Sequence, residues 1–427
     1  MATTFWLLCA FVVYVYVGYP LLLHVWGRVW PKRIAPTAGA GLEPTVSFVI
    51  AGRNEGRRIP GRLDNLRQLD YPAGKRQVIV VDDGSTDDTL HVLEGMGSRV
   101  SAVQMPAGGK ARALNAGVAA ATNDILVFAD MRQGFAPDAL NALVAPFADP
   151  TVGAVSGELV LDGEDRDRRA EERRARLERR ERADRRGLLR LAASQRKGSR
   201  RWALRRDMLE STIVDGVGMY WRYEKQIRRD ESACGSVVGA TGAIYAMRRS
   251  LWQPLPPDTI LDDVLAPMRC VMQGFRVVFA ERACAFDRTA ADANAEGRRK
   301  LRTLAGNYQL LWLEPRLLLP WRNPAWIQFV SHKIGRLLVP YALPMLLVLS
   351  MMLATRSFVY TAAFAAQCLF YGLAAYGALI EHTPDAGVTN AAPPINRLAR
   401  VALMFLVMNG SAVAGLVALL TRQKVWR

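Results

Sequence analysis

The sequence predicts an α/β domain with a parallel sheet, attached to a membrane by apolar helices near both ends of the chain. Runs of β-branched residues, of which Val78–Val81 is the clearest, are typical of strands buried on both faces of a parallel sheet. These runs alternate with amphipathic helices at the spacing of βαβ units. Apolar stretches long enough to span a bilayer lie on either side of this region. The 427 residues therefore suffice for a sizeable soluble domain between membrane segments.

The first apolar stretch, Phe5–Trp26, contains no Lys, Arg, Asp or Glu and is followed by Arg28, Lys32 and Arg33. A signal peptide carries its positive charge before the apolar run and a cleavage site after it. The opposite order predicts an uncleaved anchor over residues 1–30 with its C-terminal side in the cytoplasm.

The C-terminal region 335–421 is predicted to contain about three further spans, from apolar runs near Leu337–Ala354, Phe358–Ile380 and Leu398–Leu420. Before them, residues 297–330 combine a basic amphipathic helix with several Trp residues, a pattern of interfacial helices. Four spans in total place both termini on one side, whereas the basic tail RQKVWR favours the cytoplasm. The side of the C-terminus is left open.

The formal charge of +17 is concentrated in one segment, since residues 164–206 contribute +10 of it. This basic insert, 163–206, has alternating charge and no apolar stripe, so it predicts a mobile or lipid-facing loop. Apart from Trp202, the insert has no aromatics interleaved with its charges, which argues against nucleic acid as a partner and leaves membrane lipids. The five cysteines are scattered and contain no CxxC, which argues for a reducing compartment and against a disulfide framework or zinc site.

Polar turns follow three of the predicted strands in the soluble region, residues 45–296. AGRNEG follows Thr45–Ile50, DDGSTD follows Gln77–Val81, and Asp130 follows Asp124–Ala129. Because ligands bind at the carboxyl ends of parallel strands, these turns are placed for a ligand. The alternative for DDGSTD is a polar loop in which an acid only caps the next helix.

Four further features carry candidate chemistry. GGKARALN places Lys110 at a helix start, where phosphate binds readily, although a plain helix start is an equal alternative. The adjacent acids Asp262 and Asp263 open another helix, where simple capping and complement of the helix dipole account for them. The aromatics Tyr220 and Trp221 suit stacking on a bound ring or a place in the core. The Gly-rich turn at Gly239–Gly242 allows the backbone to approach a substrate closely.

These motifs, in this order, resemble the family 2 membrane glycosyltransferases, which include bacterial synthases of cellulose, hyaluronan and poly-N-acetylglucosamine. The resemblance covers about residues 45–312 without the insert. It implies a GT-A fold, a Rossmann-like nucleotide-diphospho-sugar transferase domain, that inverts the anomeric centre of a UDP-sugar. It also implies a multi-pass protein of the bacterial inner membrane with its catalytic domain in the cytoplasm.

The resemblance implies roles for individual residues. Asp263 corresponds to the general base, with Asp262 orienting it, and Asp130 to the first acid of the metal-binding DxD motif. The implied nucleotide-sugar site comprises Ala51, Arg53, Asn54, Glu55, Asp82, Asp83, Lys110, Asn115, Asp130, Arg132 and Arg302. The expected acceptor site comprises Tyr220, Trp221, Gly239, Thr241 and Gly242.

Two departures from the family pattern matter. Arg132 stands where the second acid of DxD is expected, so the dependence on Mg²⁺ or Mn²⁺ is in question. We expect Arg132 and Arg302 to take over part of the metal's role, because the leaving diphosphate needs a cation. Thr303 replaces the Trp of QxxRW, which weakens the prediction of processive synthesis.

The resemblance therefore implies an inverting hexosyltransferase that extends a β-linked exopolysaccharide such as poly-N-acetylglucosamine. An alternative is transfer of one sugar to a lipid acceptor, and a third is a non-catalytic nucleotide-binding scaffold. The expected partners are a UDP-sugar, a glycan or lipid acceptor, membrane lipids, and an export partner in the membrane or periplasm. No motif identifies the sugar.

Overall fold

The computed structural model describes residues 1–34, 43–161, 222–287, 293–381 and 394–421. The basic insert 163–206 and the candidate acceptor residues Tyr220 and Trp221 lie outside these ranges. The soluble region is an eight-stranded mixed sheet with helices on both faces. Its strands are β1 (Val46–Gly52), β2 (Arg76–Asp83), β3 (Ser101–Met105), β4 (Ile125–Ala129), β5 (Gly134–Phe135), β6 (Val152–Leu161), β7 (Ile244–Arg248) and β8 (Arg276–Asp287).

The helices lie between these strands and at the two ends of the chain. An N-terminal helix α1 (Ala2–Val29) precedes the sheet. Those of the soluble region are α2 (Ile59–Arg67), α3 (Thr89–Gly95), α4 (Lys110–Ala119), α5 (Ala139–Val144), α6 (residues 222–234), α7 (Asp262–Met272) and α8 (Ala293–Leu313). The last three are α9 (Trp326–Arg356), α10 (Phe358–Glu381) and α11 (Pro394–Leu420).

The strand order β3-β2-β1-β4-β7-β6-β8-β5 divides the sheet into two parts. The first four strands are parallel, which confirms the predicted βαβ units. Strand β7 then lies antiparallel between β4 and β6, although it follows the insert in sequence. The carboxyl ends of β1, β2, β3 and β4 therefore share one edge, where polar loops meet.

Strand β2 extends further than the sequence pattern indicates. We expected it to stop before Asp82, but the strand continues through Asp83. Asp82 pairs with Gly52 of β1, and Asp83 pairs with Met105 of β3. Because neighbours on both sides continue the ladder, the two acids are held by strand backbone rather than by a free turn.

The core has one layer on each face of the sheet. In β2, Val80 faces the layer that packs on α2 and α5, whereas Ile79 and Val81 face the layer that packs on α4 and α7. Both layers are apolar, which is why the strand has no polar alternation. Gly117 of α4 lies close to the sheet, since a Cβ there would come within 2.5 Å of Val49.

Four helices are long and apolar enough to cross a membrane: Ala2–Val29, Trp326–Arg356, Phe358–Ile380 and Leu398–Leu420. Their outward apolar side chains are exposed, as lipid-facing positions require. Exposed Trp312 lies in the last turn of α8, and exposed Trp321 lies between α8 and α9, both at positions typical of interfacial Trp residues. These lengths agree with the predicted spans.

A buried ionic cluster joins α1 and α9 to helix α6. We call it the junction cluster, and it comprises Tyr19, Glu224, Glu231, His332 and Arg336. Glu231 accepts hydrogen bonds from the Tyr19 hydroxyl at 2.7 Å and contacts His332 Nδ1 at 2.7 Å. His332 Nε2 lies 3.3 Å from Glu224, which also pairs with Arg336. The cluster fixes the membrane helices against the soluble domain.

The two membrane helices of this junction each contain a π-helical turn, Tyr14–Gly18 in α1 and Val330–Ile334 in α9. The Tyr14 hydroxyl lies 2.7 Å from Ser331 Oγ, so the two turns touch. A π-turn re-aims the side chains of its helix and is common at functional sites. Here it directs the segment around His332 toward α6.

Candidate functional site

The turns after β1 and β2 are bonded to each other. The Asn54 N–H donates to Ser85 Oγ at 2.8 Å, and Asn54 Oδ1 accepts from the Thr86 N–H at 2.8 Å. Asn54 adopts φ +59°, a conformation that Asn tolerates better than most residues. Asp82 accepts from the Ser85 N–H at 3.1 Å and so shapes the second turn. The predicted DDGSTD and AGRNEG motifs thus form one wall.

Asp83 holds the loop that carries Lys110. Its carboxylate accepts the N–H groups of Gly108 at 2.7 Å and Gly109 at 2.9 Å. Gly84 allows this approach, because it has φ +67° and a Cβ there would lie 2.5 Å from the Ala107 nitrogen. Gly109 ends the loop at φ +86°, and α4 begins at Lys110 as predicted. The acid at the end of β2 therefore fixes where the lysine stands.

Lys110 bridges two of the predicted acids. Its Nζ lies 3.4 Å from Asp130 Oδ1 and 3.3 Å from Asp262 Oδ1. Desolvation lowers the pKa of Lys110, but Asp130, Asp262 and Asp263 outweigh it and raise that pKa, so the ammonium stays charged. The side chain is 42% exposed, which leaves the cation open toward a ligand. We call Lys110, Asp130, Asp262 and Asp263 the site cluster.

Asp263 lies against the Gly-rich turn at Gly239–Gly242. Its backbone carbonyl accepts the Ala240 N–H at 2.7 Å. A Cβ on Gly242 would come within 2.8 Å of Asp263 Oδ2, so only glycine leaves the carboxylate in place. Gly239 adopts φ +143° and packs on Val264. The predicted base and part of the predicted acceptor turn are therefore in direct contact.

The environment of Asp263 suits a proton acceptor. Burial and the charge of Asp262 raise its pKa to about 6, and Asp130 adds to this. Lys110 and Lys333 act in the opposite direction. A carboxylate with this pKa is ionised at neutral pH yet basic enough to take a proton.

Two predicted site residues are engaged elsewhere in the fold. The Asn115 amide donates to the Leu255 carbonyl and accepts from its N–H, both at 2.9 Å, so it anchors the segment before α7. Arg132 is ion-paired with Asp287, whose carboxylate also accepts from Gln133 at 3.1 Å. This pairing partly neutralises the cation that was expected to replace the metal. The structure therefore offers less support for that expectation than the sequence did.

The remaining predicted residues lie around the same edge. Ala51 is half-buried at the end of β1, and Arg53 is exposed beside it. Glu55 pairs with Arg58, and its N–H donates to Thr89 Oγ1 at 2.9 Å. Thr241, nearly buried, donates its N–H to Ser156 Oγ at 3.0 Å.

Arg302 lies on α8 and is exposed. It stands one turn before Gly306, which packs against Ile260 and Leu261 just ahead of α7. Because residues four apart share a helix face, Arg302 lies on the side of α8 that faces this segment. Its predicted contact with the diphosphate stays a prediction.

Three residues of this region were missed by the sequence analysis. Tyr245 of β7 is fully buried, and burial followed by the charges of the nearby acids raises its pKa, so the hydroxyl stays protonated. Lys333 of α9 acts electrostatically on Asp263. Arg228 of α6 donates to Thr241 Oγ1 at 2.8 Å. Of these, Lys333 had a sequence signal, a cation within an apolar span.

Asp130 is the residue that suits a divalent metal. Its carboxylate is 39% exposed at the end of β4. Among the residues that the structure describes, no group of three or more His, Cys, Asp or Glu could hold a metal ion. Mg²⁺ is often bound by one or two carboxylates, with substrate phosphates and water completing its shell. Asp130 therefore fits a metal that arrives with a diphosphate.

Comparison with known families gives two matches. The family model described as "Glycosyl transferase family 2" matches residues 47–213, and that described as "Glycosyl transferase family group 2" matches residues 202–379. The first contains Asp83, Lys110 and Asp130, and the second contains Asp262 and Asp263.

Curated relatives match over shorter stretches. A β-monoglucosyldiacylglycerol synthase of Synechocystis is 33% identical over 131 residues, which cover 29% of this chain and 27% of that protein. An N-acetylglucosaminyltransferase of Rhizobium is 30% identical over 139 residues, 30% of this chain and 31% of that protein. This chain thus matches less than a third of the length of either relative.

A solved structure matches over nearly the whole chain. The mannosyltransferase PcManGT from Pyrobaculum calidifontis, in complex with GDP-Man and Mn²⁺, aligns with a TM-score of 0.63 at 20% identity. The alignment covers 98% of this chain and 99% of that one, so the two share the GT-A fold. An N-acetylglucosaminyltransferase of Bradyrhizobium elkanii is 32% identical over 123 residues, which cover 27% of this chain and 67% of that protein. With the two family matches, this relative shows that the chain belongs to glycosyltransferase family 2.

Proposed function

We propose that the chain transfers a sugar from a nucleotide-sugar donor, with inversion at the anomeric carbon, to an acceptor hydroxyl at the membrane surface. The observation that carries this proposal is the site cluster, in which one lysine bridges Asp130 and Asp262 beside Asp263. A cation and a raised-pKa carboxylate in one cleft are the two groups that such a transfer requires.

The donor side is the wall formed by the β1 and β2 turns with Lys110. Negative charge grows on the diphosphate as its bond to the anomeric carbon breaks. Lys110 is held in place before the reaction by the Asp83 contacts to Gly108 and Gly109, so little reorganisation is needed. We assign the nucleotide to the turns that contain Asn54 and Asp82. The hydrogen bonds between these two turns support this assignment, which is the donor site expected from the sequence.

The acceptor side is the Asp263 carboxylate with the Gly239–Gly242 turn. The acceptor oxygen forms a bond to the anomeric carbon, its proton passes to Asp263, and the nucleoside diphosphate leaves with the bonding electron pair. Asp262, bonded to Lys110, keeps a second negative charge next to Asp263 and so maintains its basicity. One base opposite the leaving group is what inversion requires.

We assign a divalent metal, Mg²⁺ or Mn²⁺, to Asp130. The mannosyltransferase of similar fold was solved with Mn²⁺, which supports this assignment. When bound, the metal would neutralise charge on the diphosphate. Since Arg132 is paired with Asp287, we expect EDTA to abolish turnover and Mg²⁺ or Mn²⁺ to restore it. Turnover that survives EDTA would instead support the substitution of the metal by Arg132 and Arg302.

Two acceptors are consistent with a site placed beside membrane helices. One is a growing β-linked exopolysaccharide exported through the membrane region. The other is a lipid that receives a single sugar, which the name of the Synechocystis relative favours, as does Thr303 in place of the family Trp. Both acceptors fit a catalytic domain on the cytoplasmic side of a bacterial inner membrane.

A donor screen tests the proposed reaction. The full chain in nanodiscs is incubated with UDP-GlcNAc, UDP-Glc, UDP-GlcA, UDP-Gal or GDP-Man, and the released nucleoside diphosphate is measured. We expect release from one of these donors, a β-linked product from an α-linked donor by NMR, and a product length that separates polymer from single transfer. No release from any donor, or retention of configuration, would contradict the proposal.

A further inference from the structure

Helix α6 carries both acidic and basic side chains, and one of them, Arg228, differs from the others in the kind of group that it contacts. From Glu224 to Glu231, the charged side chains of this described helix contact an opposite charge or a histidine, with Arg228 as the exception. The contacts are Glu224 with Arg336, Lys225 with Glu158 at 2.6 Å, Arg229 with Glu281, Asp230 with His24 at 3.3 Å, and Glu231 with His332 at 2.7 Å.

Arg228 instead donates to a neutral group, Thr241 Oγ1, at 2.8 Å. Thr241 is adjacent to Gly242, where a Cβ would come within 2.8 Å of Asp263 Oδ2. The guanidinium is half-buried and has donors beyond the one used by Thr241. A fixed cation is thus held next to the turn that borders the proposed base.

Lys333 brings a second cation to the same place. It follows His332, which the junction cluster fixes against α6. Lys333 is half-buried, repels Arg228, and is attracted by Asp263, Glu224 and Glu231. Within the ranges that the structure describes, neither cation has a carboxylate oxygen within 4.0 Å. Two neighbouring, partly desolvated cations are unfavourable unless an anion lies between them.

We propose that Arg228 and Lys333 form an anion subsite for the acceptor, and that the acceptor is a membrane lipid with a phosphate near its reactive hydroxyl. This proposal rests on the proposed function. Arg and Lys are both common ligands of phosphate. A lipid is favoured because Lys333 lies within the apolar helix α9, at the end that meets the soluble domain. The subsite would hold the phosphate while the hydroxyl reaches Asp263.

The reaction is the same glycosyl transfer, with the hydroxyl of the lipid as the acceptor. The lipid hydroxyl oxygen bonds to the anomeric carbon, its proton goes to Asp263, and the nucleoside diphosphate departs. The phosphate of the acceptor is not consumed. Arg228 and Lys333 therefore act on acceptor binding and leave donor binding to the opposite wall.

The test compares acceptors in phosphatidylcholine nanodiscs. Phosphatidylglycerol and a polyprenyl-diphosphate-linked sugar provide two sources of a lipid phosphate beside a hydroxyl. Diacylglycerol provides a hydroxyl without charge, and a soluble hyaluronan oligosaccharide provides carboxylates without a lipid. We expect transfer to at least one phosphate lipid and much weaker transfer to the other two. Equal or better kcat/KM with diacylglycerol or the oligosaccharide would overturn the proposal.

The variants R228Q and K333Q test the residues. Each is expected to lower kcat/KM for the phosphate lipid about 10- to 100-fold, which is the range for losing a charge-assisted contact. Equilibrium affinity for the donor, measured without acceptor, should stay within about twofold, because the residues of the donor wall are unchanged. The matched control R229Q lies next in sequence but pairs with Glu281, and it should change neither kcat/KM nor donor affinity. A loss of donor affinity in R228Q and K333Q as large as the loss of kcat/KM would overturn the assignment.

A second readout does not depend on activity. Native mass spectrometry of the wild-type protein extracted from the same nanodiscs should show a retained phosphate lipid, and the R228Q/K333Q double variant should lose it. Retention unchanged in the double variant would overturn the subsite. A wild-type protein that releases no nucleoside diphosphate from any donor would instead contradict the proposed function itself.

Discussion

The site cluster and the junction cluster contain similar residues but are built differently. In the junction cluster, burial raises the pKa of Glu224, yet Arg336 and His332 outweigh it and hold that pKa well below its usual range. In the site cluster, burial and Asp262 raise the pKa of Asp263 to about 6. In the junction cluster each carboxylate has its own partner, whereas in the site cluster three carboxylates surround one lysine.

The difference indicates separate roles for the two clusters. A paired, buried ionic group holds elements together, and removing one partner leaves an uncompensated charge. A cluster with excess acid and an open cation is unstable by comparison, and such perturbed groups concentrate at functional sites. Breaking the junction cluster should therefore reduce stability, and breaking the site cluster should reduce turnover. The following predictions test this separation.

The largest effect is expected for D263N. It keeps the shape of the side chain and removes its basicity, so turnover should fall about 10²- to 10⁴-fold while donor affinity changes little. Nucleoside diphosphate release and equilibrium binding of the donor measure the two quantities. The control D138N removes an exposed acid that makes no side-chain cap bond. Turnover of D263N within tenfold of the wild type would refute its role as the base.

The same variant should not be less stable. Asp263 binds its proton more tightly in the folded than in the unfolded protein, so its ionisation opposes folding. The stability that protonation provides is present below about pH 4 and is lost as pH rises through about 6. We expect the unfolding temperature of D263N at pH 8 to equal or exceed that of the wild type. A clear decrease at pH 8 would contradict the raised pKa.

The next largest effect is expected for E231A in the junction cluster. The change removes the acceptor of Tyr19, the partner of His332 and a contact to the Val238 N–H at 3.4 Å. Breaking a buried charge pair costs about 3 to 5 kcal/mol, so the apparent unfolding temperature in detergent should fall by several degrees. The control E281Q weakens half-exposed pairs with Arg229 and Lys225 and should cost at most about 1 kcal/mol. A similar fall in unfolding temperature in E231A and E281Q would show that the junction cluster stabilises the fold no more than an exposed ion pair does.

A smaller effect is expected in the pH profile of kcat/KM. Asp263 must be ionised to accept a proton, so activity should rise with an apparent pKa of about 6. D262N removes a charge that raises this pKa and should move the rise to lower pH, by about one unit. K110M removes a charge that lowers the pKa and should move the rise to higher pH. Shifts in the same direction would show that the two charges do not act on Asp263 as inferred.

Much of the fold could be predicted because it depends on local pattern. Continuous β-branched runs such as Val78–Val81 gave β2, since both faces of that strand are covered by apolar layers. The start of helix α4 at Lys110 and the four apolar helices were also predicted, because they too depend on short stretches of sequence. Local patterns could not place β7 between β4 and β6, because that pairing joins segments far apart in sequence.

For the site, too, the sequence identified candidate residues and the folded structure decided their roles. The residue types and their positions at strand ends identified Asp83, Lys110, Asp130 and Asp263 as candidates. Contacts across the sheet then decided what each one does: Asp83 holds a loop, and Asn115 holds a segment before α7. Arg132 shows the limit of motif reading, since its partner Asp287 lies 155 residues away.

By itself, the sequence determined the α/β class, the membrane segments, and the acids and lysine available for chemistry, because these depend on composition and short periodicity. The tertiary structure decided which carboxylate is basic, which cations have partners, that Arg228 is bonded to Thr241, and that Lys333 acts on Asp263. Charge interactions act through space between distant segments, so a pKa and a missing partner exist only once the chain has folded.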